Sequence, residues 1–291
     1  MYSCDDAGNP FAYQADTHSR GNIHLYIEES YKPLFETSIY TFEGQYPKAH
    51  IKAHYCSEYD VIENFLKDKT KTIFMTRDFT KEEKAKLRKS SIQVRSEVVA
   101  TDALALIVHP SNKDTNMTLN QLKRILLGKE SKWKGSNMVI NVVFDQQNSA
   151  NFNYLSELTD HKPLQENIFA VKSNEEVINY VKTHPNAIGV IGANWISDQD
   201  DSNVTEFRNG ITVVNVSKDD SEDFYPPMQA YIHTKEYPLT RQLWSINKAS
   251  KSGLNTGFVN FLAGEKGQLI IHKSGLVSAT APIRMIHLNL E

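Results

Sequence analysis

Between Val139 and Asn151 the chain changes character twice. Val139–Phe144 concentrates β-formers as a buried strand does. Asp145, Gln146, Gln147, Asn148, Ser149, Ala150 and Asn151 then supply a carboxylate, amides and small residues, after which Phe152, Leu155 and Leu158 recur at helical spacing. A strand that breaks into Asn-Ser-Ala-Asn and at once opens a helix presents unpaired backbone N–H groups at a positive dipole end. Such an end suits an anion. Read alone, the stretch favours an ordinary N-cap at Asn148 or Ser149, which most helices carry, and only other segments of the chain can overturn that.

Two other segments repeat the pattern. Ile23, Leu25 and Ile27 alternate with Asn22, His24 and Tyr26 as a strand with one buried face. Glu28-Glu29-Ser30-Tyr31 follows, then a helix carrying Leu34, Phe35, Ile39 and Phe42, with Pro33 in its first turn where a missing N–H costs little. Thr72–Met75 is a short strand that breaks at Thr76-Arg77-Asp78, before the capping box Thr80-Lys81-Glu82-Glu83. Further strands are expected at Val94–Ala100 and Ala103–Val108, either side of Thr101-Asp102, and at Ile211–Val216 and Met228–His233. Alternating strands and helices predict a layered α/β fold with mostly parallel sheets. Ligands in such folds bind beyond the carboxyl ends of strands, where these three polar loops fall.

Composition removes several function classes. A formal charge of −3 over 291 residues offers no field for nucleic acid, and no apolar run reaches the roughly 18 residues of a membrane span. The two cysteines and ten histidines make no metal-ligand spacing. Without a P-loop or a Ser/His/Asp ordering, the expectation is a protein with no metal, no cofactor and no catalytic activity. Cys56 reads as a small buried hydrophobe. Cys4 precedes two acids and a polar stretch to about Arg20, expected to be a flexible tether over residues 1–20. That start resembles the mature terminus of a bacterial lipoprotein; a stray cysteine in a tail is the alternative.

The loops can be assembled into one site. Hydroxyls of Ser30, Thr76 and Ser149 and nearby backbone N–H groups would donate to a tetrahedral oxyanion, and Arg77 would add a forked, charge-assisted pair. Read singly, Ser30 is a cap and Arg77 a surface partner of Asp78 or Glu82. Asp145 has two roles open to it. It can accept the proton of a protonated anion, so favouring hydrogen phosphate over sulfate, or it can hold Arg77.

The segment Gly21–Leu34 resembles the first binding loop of periplasmic phosphate-binding proteins, the receptors of phosphate ABC transporters, with Ser30 on the hydroxyl ligand and the Tyr31 backbone beside it. Thr76-Arg77 is similar to that family's second loop, Val99–Val108 to its first interdomain crossing strand, and Leu119–Gly128 with Trp133 to its L-x-x-I-[FY]-x-G…W segment. Ala187-Ile188-Gly189 and Tyr237-Pro238-Leu239-Thr240-Arg241 match two later motifs, so the likeness runs from about Gly21 to Leu276. It implies a type 2 periplasmic-binding-protein (Venus-flytrap) fold: two α/β domains, a two-strand hinge and a cleft. Residues 21–100 and 229–291 would form one domain and 101–228 the inserted second. The implied protein is a periplasmic monomer, lipid-anchored through Cys4, that binds phosphate or a related oxyanion and delivers it to membrane permease subunits. Ser30, Tyr31, Thr76, Arg77, Asp145, Asn148, Ser149, Ala150 and Asn151 would line the ligand. The chain also departs from the pattern. Asp145 stands where the third loop commonly has arginine, and Arg77 where many members carry the proton-accepting aspartate, as though the pair were exchanged. Glu28 and Glu29 replace small residues of the first loop. Carboxylates beside an anion weaken it, so either they point away or the ligand is not phosphate.

Overall fold

The computed structural model describes residues 16–280, apart from 136, 199, 219–220 and 249–251; Cys4 lies outside the described residues. The first half opens with β1 (Arg20–Glu28), whose Ile23, Leu25 and Ile27 are buried as their alternation predicts. A 3-10 turn (Glu29–Tyr31) leads into α1 (Lys32–Gln45), and β2 (Lys48–Cys56), α2 (Glu58–Leu66), β3 (Thr72–Met75) and α3 (Lys81–Lys89) follow. The Thr80–Glu83 capping box forms in full and starts α3.

β4 (Val94–Val108) runs without interruption through Thr101-Asp102, where the sequence suggested a break. Its first part pairs with β11 (Thr240–Lys248), and its end with β8 (Ala187–Gly192) and β9 (Thr212–Val213). It therefore joins the two halves. The second half adds β5 (Asn116–Thr118), α4 (Leu119–Leu126), β6 (Asn141–Phe144), α5 (Ala150–Leu158), β7 (Ile168–Ala170), α6 (Asn174–Thr183) and α7 (Ser202–Arg208), with β10 (Asn215–Ser217) pairing β5. Met228–His233, expected as a strand, is instead the short helix α8 (Gln229–His233). α9 (Leu254–Ala263), α10 (Glu265–Lys273) and β12 (Val277–Ser278) return to the first half.

The main sheet runs β2-β1-β3-β11-β4-β8-β6-β7. Pairing is parallel within β2-β1-β3 and within β8-β6-β7, and antiparallel at the central strands β11 and β4. Parallel strands flanked by helices are buried on both faces, which is why β3, β6 and β8 read as apolar runs rather than alternating ones. Gly189 in β8 shows how tightly they pack, since a Cβ there would lie 2.7 Å from the Ile107 side chain.

The apolar interior divides accordingly. One cluster gathers Leu25, Phe35, Phe42, Phe74 and Phe258; another gathers Leu106, Leu122, Val143, Val177 and Ile188. Ile232, Tyr237 and Leu239 pack within the second cluster. The carboxyl ends of β1 and β6 face each other across the join, and their loops build the site.

Candidate functional site

Glu28 closes β1. Its Oε2 accepts the Ser30 N–H at 3.0 Å, capping the turn that starts α1. Its Oε1 accepts the N–H of Ala150 at 3.4 Å, and Ala150 is the first residue of α5 in the opposite half. One carboxylate thus takes a donor from each side of the cleft. Glu29 makes a similar bridge one residue on, for its Oε2 accepts the Asn174 N–H at 3.2 Å and is also contacted by Asn174 Nδ2. Asn174 opens α6. Two adjacent carboxylates from one strand end therefore meet the positive ends of two helices in the other half.

The loop after β6 is held by its own chemistry. Asn148 turns the chain at φ 60°, a left-handed conformation that asparagine tolerates better than most residues. Ser149 is the N-cap of α5, accepting from Phe152 N at 3.1 Å while its Oγ donates to Asp145 Oδ1 at 2.7 Å. Asp145 Oδ2 lies 3.4 Å from Asn174 Nδ2. The Ser30 hydroxyl donates across the cleft to Asn151 Oδ1 at 3.3 Å, and the Ser30 carbonyl accepts from Asn194 Nδ2 and Trp195 Nε1 at 2.8 and 2.9 Å. Glu28, Ser30, Asp145, Ser149, Asn151 and Asn174 are all 0% exposed, so the cleft centre is closed to water.

The cation at that centre is Arg241. It faces Asp102 across the β11–β4 ladder, with Nε 2.9 Å from Asp102 Oδ2, and its Nη1 donates to Asn151 Oδ1 at 2.7 Å. The guanidinium also lies 5.5 Å from the centre of the Tyr31 ring. Its Nη2 is buried with no hydrogen-bond partner, which leaves one charged donor uncommitted.

The electrostatics are dominated by acids. Burial, then the Asp145 charge, pushes Glu28 well above the ordinary carboxylate range despite Arg241. Burial and Asp145 likewise raise Glu29 to about 7. Burial raises Asp145 to about 6 against the opposing effects of Ser149 and Arg241. Burial works against the Arg241 charge as well, but Tyr31, Asp102 and Glu28 outweigh it and keep the guanidinium protonated. Arg241 with Asp102 is a compensated ion pair. The other three carboxyls share a low-dielectric space in which full ionisation is costly.

Ser30, Tyr31, Asp145, Ser149, Ala150 and Asn151 converge at this centre. Thr76 and Arg77 lie to one side. Thr76 Oγ1 donates to Glu58 Oε2 at 2.7 Å; Arg77 Nε holds Glu58 Oε1 at 3.1 Å, while its Nη1 and Nη2 fork onto Glu83 at 2.8 and 3.1 Å. No contact joins Arg77 to Asp145 among the described residues, so their exchange between loops does not make them partners here. Asn148 sits on the rim, its carbonyl 3.5 Å from Tyr59 N, near the Asn153–Glu58 contact of 3.2 Å between the halves.

Sequence reasoning missed Arg241, Asp102 and Asn174 as site residues. Arg241 falls on the inward register of β11 with Leu243 and Ser245, all buried. An arginine in phase with buried residues was the available signal.

A model of the PBP superfamily domain matches residues 12–266. Over 219 residues the chain is 27% identical to the phosphate-binding protein PstS of Borreliella burgdorferi, covering 71% of this chain and 72% of that protein. A Clostridium perfringens structure described as a phosphate ABC transporter substrate-binding protein with bound phosphate superposes with a TM-score of 0.75 at 22% identity, over 89% of this chain and 100% of that one. An ABC-type phosphate transport receptor from Vibrio cholerae gives 0.67 at 18% identity, over 89% and 100%. The strand order, the crossing strands β4 and β11, the closed cleft and these likenesses place the chain in the PBP superfamily domain family, with the type 2 periplasmic-binding-protein fold.

Proposed function

We propose that the chain is an extracytoplasmic solute-binding protein whose cleft takes phosphate or a similar small oxyanion and delivers it to an ABC transporter, with no catalytic role. The observation carrying this reading is the convergence of donors from both halves on one carboxyl group: Ser30 N–H and Ala150 N–H on the two oxygens of Glu28, beside a buried arginine. A pocket that places two backbone donors and a guanidinium around a carboxylate has the chemistry that an oxyanion requires. The similarity to proteins named for phosphate adds to it. Delivery requires hinge closure, and β4 and β11 are the strands about which the halves would turn. Attachment at Cys4 would tether the receptor to the cell envelope.

Calorimetric titration with phosphate, arsenate and sulfate, together with melting curves, tests the reading over about pH 5.5 to 8. No heat and no rise in melting temperature with any of them would retire it. A second reading has its own support. With Glu28 and Glu29 already bridging the halves, the same fold would act as a sensor or scaffold that closes on its own side chains. A chain that stays closed and binds no small ligand under all these conditions fits that reading.

A further inference from the structure

We propose that Glu28 is the residue that decides what the cleft admits: its carboxylate is an internal anion seated among the oxyanion donors, and an external oxyanion binds only in exchange for it. This rests on the oxyanion reading above and adds the gate to it. The geometry is specific. Glu28 is fully buried, and its two oxygens divide between Ser30 N–H on its own side and Ala150 N–H at the head of α5. These are donors that a tetrahedral anion would use to draw the halves together. A second carboxylate at contact distance from a bound dianion in a dry site is strongly repulsive. Glu28 must therefore leave the seat or carry a proton before phosphate can occupy it.

The groups facing Glu28 come from every neighbouring element. Glu29 and Tyr31 lie on its own segment, and Cys56 lies at the end of β2. Asp145 reaches it from the loop after β6, and Arg241, paired with Asp102, from the crossing strands. Asp145 and Glu29 oppose a charge on Glu28, whereas Arg241, already committed to Asp102, and the hydrogen bond from Ser30 favour one. Acid therefore weakens the internal anion, and uptake improves as pH falls. A receptor built this way takes its oxyanion best from acidic surroundings and excludes it as the carboxyls ionise.

Phosphate titrations of the full chain and of Glu28→Ala and Glu28→Gln test this. Alanine clears the seat; glutamine leaves an acceptor of the same shape without the charge. At neutral pH, Glu28→Ala is expected to bind phosphate about a hundredfold more tightly than wild type, as removal of a like charge at contact distance implies, with Glu28→Gln between them. Wild type binding within about threefold of Glu28→Ala would overturn the proposal and leave the oxyanion reading standing. Failure of all three proteins to bind phosphate, arsenate or sulfate would take down that reading, and the gate with it. Should the variants not fold, wild type alone decides with sulfate, whose charge is constant between about pH 5.5 and 8. Tighter binding at the acid end supports the gate, and pH-independent binding refutes it.

Discussion

Glu29 supplies a prediction whose size follows from the structure. The carboxyl is 5% exposed, and burial with the neighbouring Asp145 lifts it from an ordinary 4.5 to about 7. A folded-state value above the unfolded one means that the native protein binds more protons between those limits. The stability is fully present below pH 4.5 and is lost as pH rises through about 7. At about 1.4 kcal/mol per pH unit, the loss assignable to Glu29 is about 3 kcal/mol. For a chain of this size it amounts to a fall of about 6–12 °C in melting temperature. Asp68, Asp78 and Glu83 are held below their ordinary values by lysine or arginine partners. Their contributions are lost only at more acidic pH, outside this window. His54 is shifted down by burial and by His24, so it contributes a slope of the opposite sign. Comparison with Glu29→Gln, which retains His54, cancels that term. The assay is urea unfolding of both proteins at half-unit steps across the window. Wild type should lose stability with rising pH, and the glutamine variant should lose about 3 kcal/mol less. Equal slopes, or a wild type that gains stability toward neutral pH, would refute the placement of Glu29 in the closed cleft.

Other expectations follow from the same contacts. Arg241→Met strands the buried Asp102 carboxylate and should cost about 3–5 kcal/mol in urea unfolding, whereas Arg241→Met with Asp102→Leu recovers much of it. Arg77→Ala should leave oxyanion affinity within about threefold of wild type by calorimetry, because Glu58 and Glu83 occupy the guanidinium outside the cleft centre. Gly189→Ala drives a Cβ to within 2.7–2.9 Å of Ile107, Val181 and Val177, and should destabilise by about 1–3 kcal/mol in the same assay.

Much of the fold was legible because local rules and tertiary packing agree. Ile23, Leu25 and Ile27 alternate and are buried; Pro33 falls in the first turn of α1; Thr80 and Ser149 cap the helices that they precede. The misread places are those where a distant residue decides. Thr101-Asp102 looks like a break, yet β4 passes through it because Arg241, opposite in the ladder, compensates the buried carboxylate from 139 positions away. Met228–His233 carries strand-like residues, but packing of Ile232 against the second core fixes a short helix. In the candidate site, strand-to-helix chemistry marks the loops around Ser30 and Ser149 without choosing between a helix cap and a ligand site. The direction of the Glu28 and Glu29 side chains could not be read, since it depends on Ala150 and Asn174 arriving from the other half.

The Arg241–Asp102 pair lies on the two strands that cross between the halves, whereas Glu28–Ala150 and Glu29–Asn174 link one half to the other. In mechanical terms the ion pair sits at the fulcrum and the carboxylate bridges sit out along the lever arms. Rotation about β4 and β11 would scarcely change the first distance and would sever the others. The guanidinium would then remain a fixed charge throughout opening, ready to meet an incoming anion before the jaws move. The carboxylates of Glu28 and Glu29 would act as the latch and set how often the jaws part.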